Sequence, residues 1–218
     1  MIKNVRYENC QAINCGSDGG AFNPPWVTGF DFAELNDIEG LRVTNCLAEG
    51  NLESGFHFEW DPEKRDCILT NCISRNNGQK ATRQRPTART TDPRTTSGAA
   101  TTRPRGDVTF ISCYSEGNSR YGFYATNGGK LYNCVDRNVG AGKTDYRIVE
   151  PASFYAAPTR SIAPSLVLEN CSSIDSYGYG LHIDLASDVL IKNFSLENPA
   201  GIDGKATNLG GSQGGAAV

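Results

Sequence analysis

Leu41-Arg-Val-Thr-Asn-Cys46 is a short stretch of alternating apolar and polar residues that ends in an Asn-Cys pair. The pattern returns in Val108-Thr-Phe-Ile-Ser-Cys113 and Leu166-Val-Leu-Glu-Asn-Cys171, and the last copy, Val189-Leu-Ile-Lys-Asn-Phe194, carries phenylalanine in place of the cysteine. Alternation with a period of two residues is typical of a strand with one buried face. The stretch therefore predicts a short β-strand that ends in a bend at the asparagine and recurs along the chain.

The cysteines follow the same repeat. Six of the eight recur at separations of 36, 26, 41, 21 and 37 residues, each preceded by Asn or Ser, and the chain contains no CxxC pair: Cys10, Cys46, Cys72, Cys113, Cys134 and Cys171. We expect a buried column of free thiols that act as small apolar side chains. Disulfides between neighbouring coils are the alternative. Cys15 and Cys67 lie outside the column, and either could be exposed.

The asparagines that precede these cysteines form a second periodic set. We expect them to build an internal ladder of side-chain amides at one bend, hydrogen-bonded from coil to coil. Its members are Asn9, Asn45, Asn71, Asn133, Asn170 and Asn193.

A glycine followed by a bulky apolar residue stands nine residues after three of the cysteines, at Gly55-Phe56, Gly122-Phe123 and Gly180-Leu181. Each pair opens another short strand. Short strands that are joined by bends and repeat every 20-odd residues cannot close a core alone, but they can stack on their neighbours. The sequence therefore predicts an all-β solenoid, a parallel β-helix of about seven coils, starting near Ile2, Ile38, Cys67, Val108, Lys130, Leu166 and Val189.

One stretch does not fit the repeat. Residues 81–105 contain 8 Thr, 6 Arg, 3 Pro and 4 Ala, with no aromatic or branched aliphatic residue, so they cannot supply a buried strand. We interpret 79–107 either as a disordered basic loop or as a stretch read in a shifted frame. The remainder predicts one β-helix domain over residues 1–208, followed by a flexible Gly-rich tail at 209–218.

Charge and hydropathy exclude several classes of partner. The net charge is −3, but residues 80–105 hold seven basic side chains and one acid, which leaves 14 basic and 23 acidic residues elsewhere. An acidic body argues against nucleic acid as a partner. No stretch has the length of a membrane span, and Met1-Ile2-Lys3 begins no signal-peptide pattern. We expect either a protein that is not exported or a piece of a longer exported one that lacks its N-terminal region.

The Asn-Cys and Gly-Phe repeats resemble the right-handed β-helix repeats of the pectate-lyase-like superfamily, including NosD-like chains. The resemblance covers nearly the whole chain except residues 79–107. It implies a right-handed solenoid, a polysaccharide or glycan as partner, and an extracellular or cell-surface location. The fold carries lyases, hydrolases, epimerases and structural proteins alike, so the resemblance alone assigns no activity.

The strands that begin with the Gly-Phe motif supply the candidate site. If the bulky residue after the glycine points inward, alternation turns Asp31, His57, Tyr124 and His182 outward in one column. Glu59 and Asp184 follow the two histidines by two residues, and these are the only histidines in the chain. Such a face could perform acid and base chemistry on a sugar, with Asp31, His57, Glu59, His182 and Asp184 as catalytic candidates. The alternative is a polar outer face that repeats because the coil repeats.

Trp60, Tyr124 and Arg147 are candidates for substrate binding, because ring faces stack on pyranoses and Arg147 is the one basic residue near this face. The resemblance also implies a possible calcium site, for which Glu59, Asp61 and Asp184 could supply oxygen ligands, and no other cofactor. The column itself contains no base for elimination, so hydrolysis is favoured over lyase chemistry. The competing hypotheses are a glycoside hydrolase or polysaccharide lyase, a non-catalytic adhesive or structural surface solenoid, and a NosD-like scaffold. Burial of His57 and His182 would argue against the first.

Overall fold

The computed structural model describes residues 1–16, 27–32, 37–58, 64–78, 108–125, 129–140, 151–156, 166–183, 189–197 and 207–208. Within these ranges the regular structure consists of β-strands without a helix, and the paired strands run parallel. The predicted insertion at 79–107 and the predicted tail at 209–218 lie outside the described residues.

The strands are short and follow one another at regular intervals. In chain order they are β1 (Ile2–Lys3), β2 (Arg6–Glu8), β3 (Gln11–Ile13), β4 (Phe30–Asp31), β5 (Ile38–Glu39), β6 (Arg42–Thr44), β7 (Leu47–Glu49), β8 (Phe56–His57), β9 (Lys64–Arg65), β10 (Cys67–Thr70), β11 (Ile73–Arg75), β12 (Val108–Ile111), β13 (Tyr114–Glu116), β14 (Tyr121–Ala125), β15 (Gly129–Tyr132), β16 (Val135–Arg137), β17 (Ala152–Ala156), β18 (Leu166–Glu169), β19 (Ser172–Ile174), β20 (Tyr179–Ile183), β21 (Val189–Lys192), β22 (Ser195–Glu197) and β23 (Thr207–Asn208).

Two seven-stranded parallel sheets run the length of the described chain. The first long sheet has the order β2-β6-β10-β12-β15-β18-β21, and the second long sheet has the order β3-β7-β11-β13-β16-β19-β22. Three smaller sheets complete the arrangement: β1-β5-β9, β4-β8 and β14-β17-β20-β23. Each strand of the first long sheet is followed in sequence by the matching strand of the second, so the architecture is consistent with a parallel β-helix, as the sequence predicts.

The bend between the two long sheets has a left-handed backbone in every repeat. Its residues have φ between +51° and +56°, a region that asparagine tolerates better than most residues because its short side chain bonds locally: Asn9, Asn45, Asn71, Ser112, Asn133, Asn170 and Asn193. A second left-handed column follows the second long sheet, at Asn14, Gly50, Asn76, Gly117, Asn138 and Asp175. The recurrence of asparagine in the sequence thus has a backbone cause.

The amides of the first column do form a ladder, but its predicted internal location is wrong. Asn45 Nδ2 donates to Asn9 Oδ1 at 3.3 Å, and Asn193 Nδ2 donates to Asn170 Oδ1 at 2.9 Å. Asn71 bonds to Asn45 and Asn170 bonds to Asn133 in the same way, so amide bonds are found on both sides of Ser112, and these side chains lie exposed on the outer surface. The asparagine follows the strand by one residue and the inward cysteine comes next, so alternation turns the amide outward.

A different set of asparagines forms the internal ladder, at Asn51, Asn77 and Asn118. The Asn77 side chain accepts from Asn51 Nδ2 and from the Asn51 backbone N–H, both at 2.9 Å, and donates to the Ala48 carbonyl and the Asn118 Oδ1 at 3.1 Å. This internal ladder satisfies buried backbone groups at the corner where the chain leaves the second long sheet.

The core between the sheets is filled by aliphatic, aromatic and cysteine side chains in matching columns. Two aromatic pairs stack between neighbouring coils: Phe30–Phe56, with ring centroids 4.9 Å apart, and Phe123–Phe154, at 5.1 Å. Rings repeat at about the spacing of parallel strands, so the packing follows directly from the in-register repeat.

The thiol column is confirmed. All eight cysteines are free, and five of the column's six members are buried, with Cys10 partly exposed at its start. Each thiol donates to carbonyl oxygens, as Cys72 Sγ does to the Val43 and Thr70 carbonyls at 3.5 Å. The disulfide alternative is therefore wrong. Cys67, which could have been exposed, is buried in β10, whereas Cys15 is partly exposed.

We expect two of the eight thiols, those of Cys10 and Cys15, to react with an aromatic disulfide reagent in the native protein. Burial raises the pKa of the Cys46, Cys67 and Cys134 thiols, which lowers the fraction of reactive thiolate, and denies the reagent access. Titration before and after addition of denaturant measures both populations. Rapid reaction of six or more thiols in the native protein would contradict the buried column. The double variant Cys10→Ser with Cys15→Ser is the control, because it removes the two thiols that are expected to react.

The outer side of the second long sheet carries an alternating-charge column, composed of Glu49, Arg75, Glu116 and Arg137 on successive strands. Arg75 Nη2 lies 2.8 Å from Glu49 Oε2. Hydrogen bonding and charge from Glu49, with a smaller contribution from Glu116, raise the pKa of Arg75. Each internal member of the column thus has opposite charges on both sides.

Candidate functional site

The glycine of the Gly-Phe motif lies where the chain passes close to the second long sheet. A Cβ on Gly55 would lie 2.4 Å from Ser74 Oγ, and one on Gly122 would lie 2.3 Å from Asp136 Oδ1. Only a residue without a side chain fits there. The next residue, Phe56 or Phe123, enters the core, and the residue after that faces away from it.

Strand register places the described candidates in two separate groups. In the first, Asp31 of β4 lies directly opposite His57 of β8. In the second, Tyr124 of β14, Tyr155 of β17 and His182 of β20 occupy one column. β4 and β8 form a sheet of their own among the described residues, apart from β14, β17 and β20.

The first group is an acid and an imidazole at moderate distance. His57 Nδ1 lies 4.0 Å from Asp31 Oδ1, and the Asp31 side chain is exposed while His57 retains 8 % of its accessible surface. A carboxylate at this position can restrict the orientation of the imidazole. The burial of His57 leaves Asp31 as the more accessible group of this pair.

The second group is an aromatic cluster outside the main core, made of Tyr121, Tyr124, Tyr155, Tyr179 and His182. The Tyr121 and Tyr155 rings are stacked at 4.8 Å with an angle of 5° between their planes, and the Tyr124 and Tyr155 rings are stacked at 5.2 Å. His182 lies edge-on to Tyr155, with centroids 4.8 Å apart. Tyr124 is buried and His182 is half-buried.

This stacking changes the role that Tyr124 could have in binding. Its ring face contacts the rings of Tyr121 and Tyr155, so the face that would stack on a sugar is already occupied. The geometry therefore argues against stacking of a sugar on the ring of Tyr124.

Tyr155 is a member of this column that the sequence motif did not reveal. Its repeat has Ser153-Phe154 where the others have Gly-Phe or Gly-Leu, so a search for the glycine passes over it. The bulky-then-aromatic pair Phe154-Tyr155, which matches Phe123-Tyr124, is the signal that could have found it.

Glu59, Trp60, Asp61, Arg147 and Asp184 lie outside the described residues, so their predicted roles in catalysis, substrate binding and calcium binding stay predictions. The described ranges contain no cluster of three or more His, Cys, Asp or Glu side chains that could hold a metal ion. In the same ranges there is no helix with the length and apolar character needed to cross a membrane.

An acidic residue that the site hypothesis did not include lies inside the solenoid. Asp136 faces inward on β16, between Ser115 and Ser173 on the neighbouring strands, and retains 0 % of its accessible surface. Burial raises the pKa of Asp136 to about 7, and the hydroxyls of Ser115 and Ser153 offset only part of this effect. The other repeats carry alanine or serine at this position in all but the last, so the departure is visible in the sequence. Asp136 is enclosed and cannot contact a polymer on the outer face.

No protein-family model matches the chain, and neither a curated protein nor a solved structure matches it. The interpretation of the site therefore depends on its own residues.

Proposed function

We propose that this protein is a right-handed parallel β-helix of about seven coils that binds a polysaccharide along the outer face formed by Asp31, His57, Tyr124, Tyr155 and His182. The observation that carries the proposal is that hydrogen-bonding side chains follow one another in register within two groups of neighbouring strands, one around the exposed Asp31 and one around the half-buried His182. Groups repeated at the strand spacing present a periodic row to a ligand that is itself a repeating polymer. The acidic body suits a neutral, hydroxyl-rich ligand or one bound with cations, and the resemblance to pectate-lyase-like repeats supports an extracellular or cell-surface setting.

Cleavage of the bound polymer is the more specific form of this proposal. Asp31 and His57, with Glu59 and Asp184, would supply the acid and base of a glycoside hydrolase. The specific observation that favours a non-catalytic adhesive or structural role is the burial of His57 and Tyr124, which limits access to the column. A calcium ion held by Glu59, Asp61 and Asp184 belongs to the catalytic form of the proposal.

Binding and cleavage can be separated in one experiment. Affinity electrophoresis against neutral and uronate polysaccharides, with and without calcium, measures binding, while release of reducing ends and of unsaturated ends distinguishes hydrolysis from elimination. We expect Asp31→Asn to weaken binding about tenfold, because it removes one charged hydrogen-bonding group. Glu197→Gln, which changes an exposed carboxylate on the second long sheet, is the matched control.

Binding of a polysaccharide without release of reducing or unsaturated ends would indicate that the protein binds the polymer without cleaving it. Failure to bind any member of the panel, or equal losses of affinity in Asp31→Asn and Glu197→Gln, would contradict a glycan site on this face.

A further inference from the structure

The outer face of the second long sheet carries a row of apolar side chains beside the alternating-charge column. In these three-residue strands the middle residue points inward and the two flanking residues point outward, as Leu47 and Glu49 do on either side of the buried Ala48. The first outward residue is apolar on four successive strands, and we call this set the outer apolar row: Leu47, Ile73, Tyr114 and Val135. Ile73 retains 36 % of its accessible surface. Neighbouring apolar side chains on an outer face indicate an interaction surface.

The alternating-charge column is complementary to its own reverse. From β7 to β16 its charges run negative, positive, negative, positive, and in the opposite direction they run positive, negative, positive, negative. A second copy that faced this sheet with its coils in the opposite order would place its Arg137 opposite Glu49 and its Glu116 opposite Arg75. Because both copies contribute the same surface, this arrangement contains four pairs of opposite charge.

The apolar residues follow the same symmetry. In that arrangement Leu47 would face Val135 of the second copy and Ile73 would face its Tyr114, so the outer apolar row would pack on itself. The strands before and after, β3 and β19, also match, apolar with apolar and polar with polar, in the pairs Ile13 with Ile174 and Gln11 with Ser172. The outward residues of six successive strands therefore agree on one arrangement.

Other ways of placing two copies face to face bring like charges together. A second copy with its coils in the same order would place Glu49 opposite Glu49 and Arg75 opposite Arg75. An antiparallel copy moved by one coil would place Glu49 opposite Glu116 and Arg75 opposite Arg75. Like charges that face each other across a contact are unfavourable. The order of the charges thus favours a second copy of this chain as the occupant, in one orientation and one register.

We propose that this protein forms a reversible antiparallel dimer through the outer face of the second long sheet, with its two-fold axis between the levels of β11 and β13. Such a contact uses the same surface on both copies, so it closes at two copies. Six strands of three residues present a contact of about 24 Å by about 10 Å. A contact of this size is small, so we expect a Kd on the order of 10–100 µM.

A charge-swapped variant tests the proposal, combining Glu49→Arg, Arg75→Glu, Glu116→Arg and Arg137→Glu. The swap keeps the alternation within the column and its complementarity to its own reverse, so the variant is expected to fold and to dimerise about as strongly as the wild type. In a mixture, each of these charges would face a like charge on the other protein, so mixed dimers are expected to be at least about tenfold weaker. Fluorescence-detected sedimentation of labelled wild type, titrated with either unlabelled protein, measures the two affinities.

A second variant tests the outer apolar row. Ile73→Lys would place a charge opposite Tyr114 of the second copy and is expected to weaken dimerisation at least about tenfold. Leu190→Lys, the matched control, introduces lysine at an exposed apolar position of the first long sheet and is expected to leave dimerisation unchanged. Circular dichroism verifies that each variant is folded.

Three results would overturn the proposal. The first is a wild-type protein that stays monomeric at concentrations well above the expected Kd. The second is mixed dimers as strong as the wild-type dimer, which would mean that the charged columns do not face each other. The third is equal affinities of Ile73→Lys and Leu190→Lys, which would place the contact on another face.

Discussion

Between pH 4 and pH 8, the free energy of unfolding of the wild-type protein is expected to fall by about 4 kcal/mol more than that of Asp136→Asn. Burial raises the pKa of Asp136 to about 7 in the folded protein, against an ordinary value of 3.8. The folded state therefore binds more protons than the unfolded state at intermediate pH. Stability from the neutral carboxyl is complete below the unfolded pKa and is lost as the pH rises toward and through 7.

The physical reason is the position of the residue. Asp136 shares its inward column with serine and alanine side chains, and Gly122 leaves the space that its carboxyl group occupies. A neutral carboxyl can occupy that space at modest cost, whereas a carboxylate there lacks solvent. The Asp136→Asn substitution keeps the size of the side chain and removes its ability to become charged.

Urea unfolding at several pH values measures the effect as the difference between wild type and Asp136→Asn, which cancels the titration of all other groups. Glu197→Gln, on the exposed face of β22 in the same sheet, is the control and should follow the wild-type dependence on pH. Parallel pH profiles for wild type and Asp136→Asn would show that Asp136 titrates in its ordinary range.

The second large effect is expected at Asn77. We expect Asn77→Ala to lower the free energy of unfolding by about 3–5 kcal/mol, because it leaves several buried donors and acceptors without partners at once. Those groups are the Asn51 backbone and side-chain N–H groups and the Ala48 carbonyl oxygen. Urea unfolding at one pH is sufficient to measure it.

Asn71→Gly is the matched control from the exposed ladder. Glycine adopts the positive φ of this bend without strain, and the lost bond to Asn45 Oδ1 is a long one at 3.4 Å. We therefore expect a change within about 1 kcal/mol. Equal losses at Asn71 and Asn77 would contradict the distinction between the exposed and the internal ladder.

The repeat could be recognised from sequence because the bend and the core each impose a residue type at a fixed position. The left-handed bend favours asparagine and the corner of the core favours a small apolar residue such as cysteine. Asn45-Cys46 and its equivalents therefore show both requirements in two adjacent residues. The side of the sheet on which the amides lie was predicted wrongly, although alternation with the inward cysteine determines it. The internal asparagines were missed because only Asn51, Asn77 and Asn118 occupy that position, and the repeats before and after have other residues there.

The candidate site was harder to predict than the fold. Spacing predicted a single column of candidates. The register of the described strands aligns Asp31 with His57 and, separately, Tyr124 with His182, because in-register stacking preserves sequence offsets within each sheet. The exposure of a side chain depends on the residues that surround it, and the spacing of residues along the sequence does not determine those surroundings. The burial of His57 and Tyr124 could therefore not be predicted. Stacking of Tyr121 on Tyr124 likewise depends on the direction that the chain takes around Gly122.

The alternating-charge column on the second long sheet also discriminates between ways of assembling the coils. A chain that omitted β11 and joined β7 directly to β13 would bring Glu49 beside Glu116, and one that omitted β13 would bring Arg75 beside Arg137. Like charges directly opposite each other on neighbouring strands are destabilising. A long stretch of sequence separates β11 from β12, so a coil would be skipped most easily at the third coil. The alternating charges make that incorrect pairing unfavourable there. The alternating charges of Glu49, Arg75, Glu116 and Arg137 therefore favour the native order of the coils during folding.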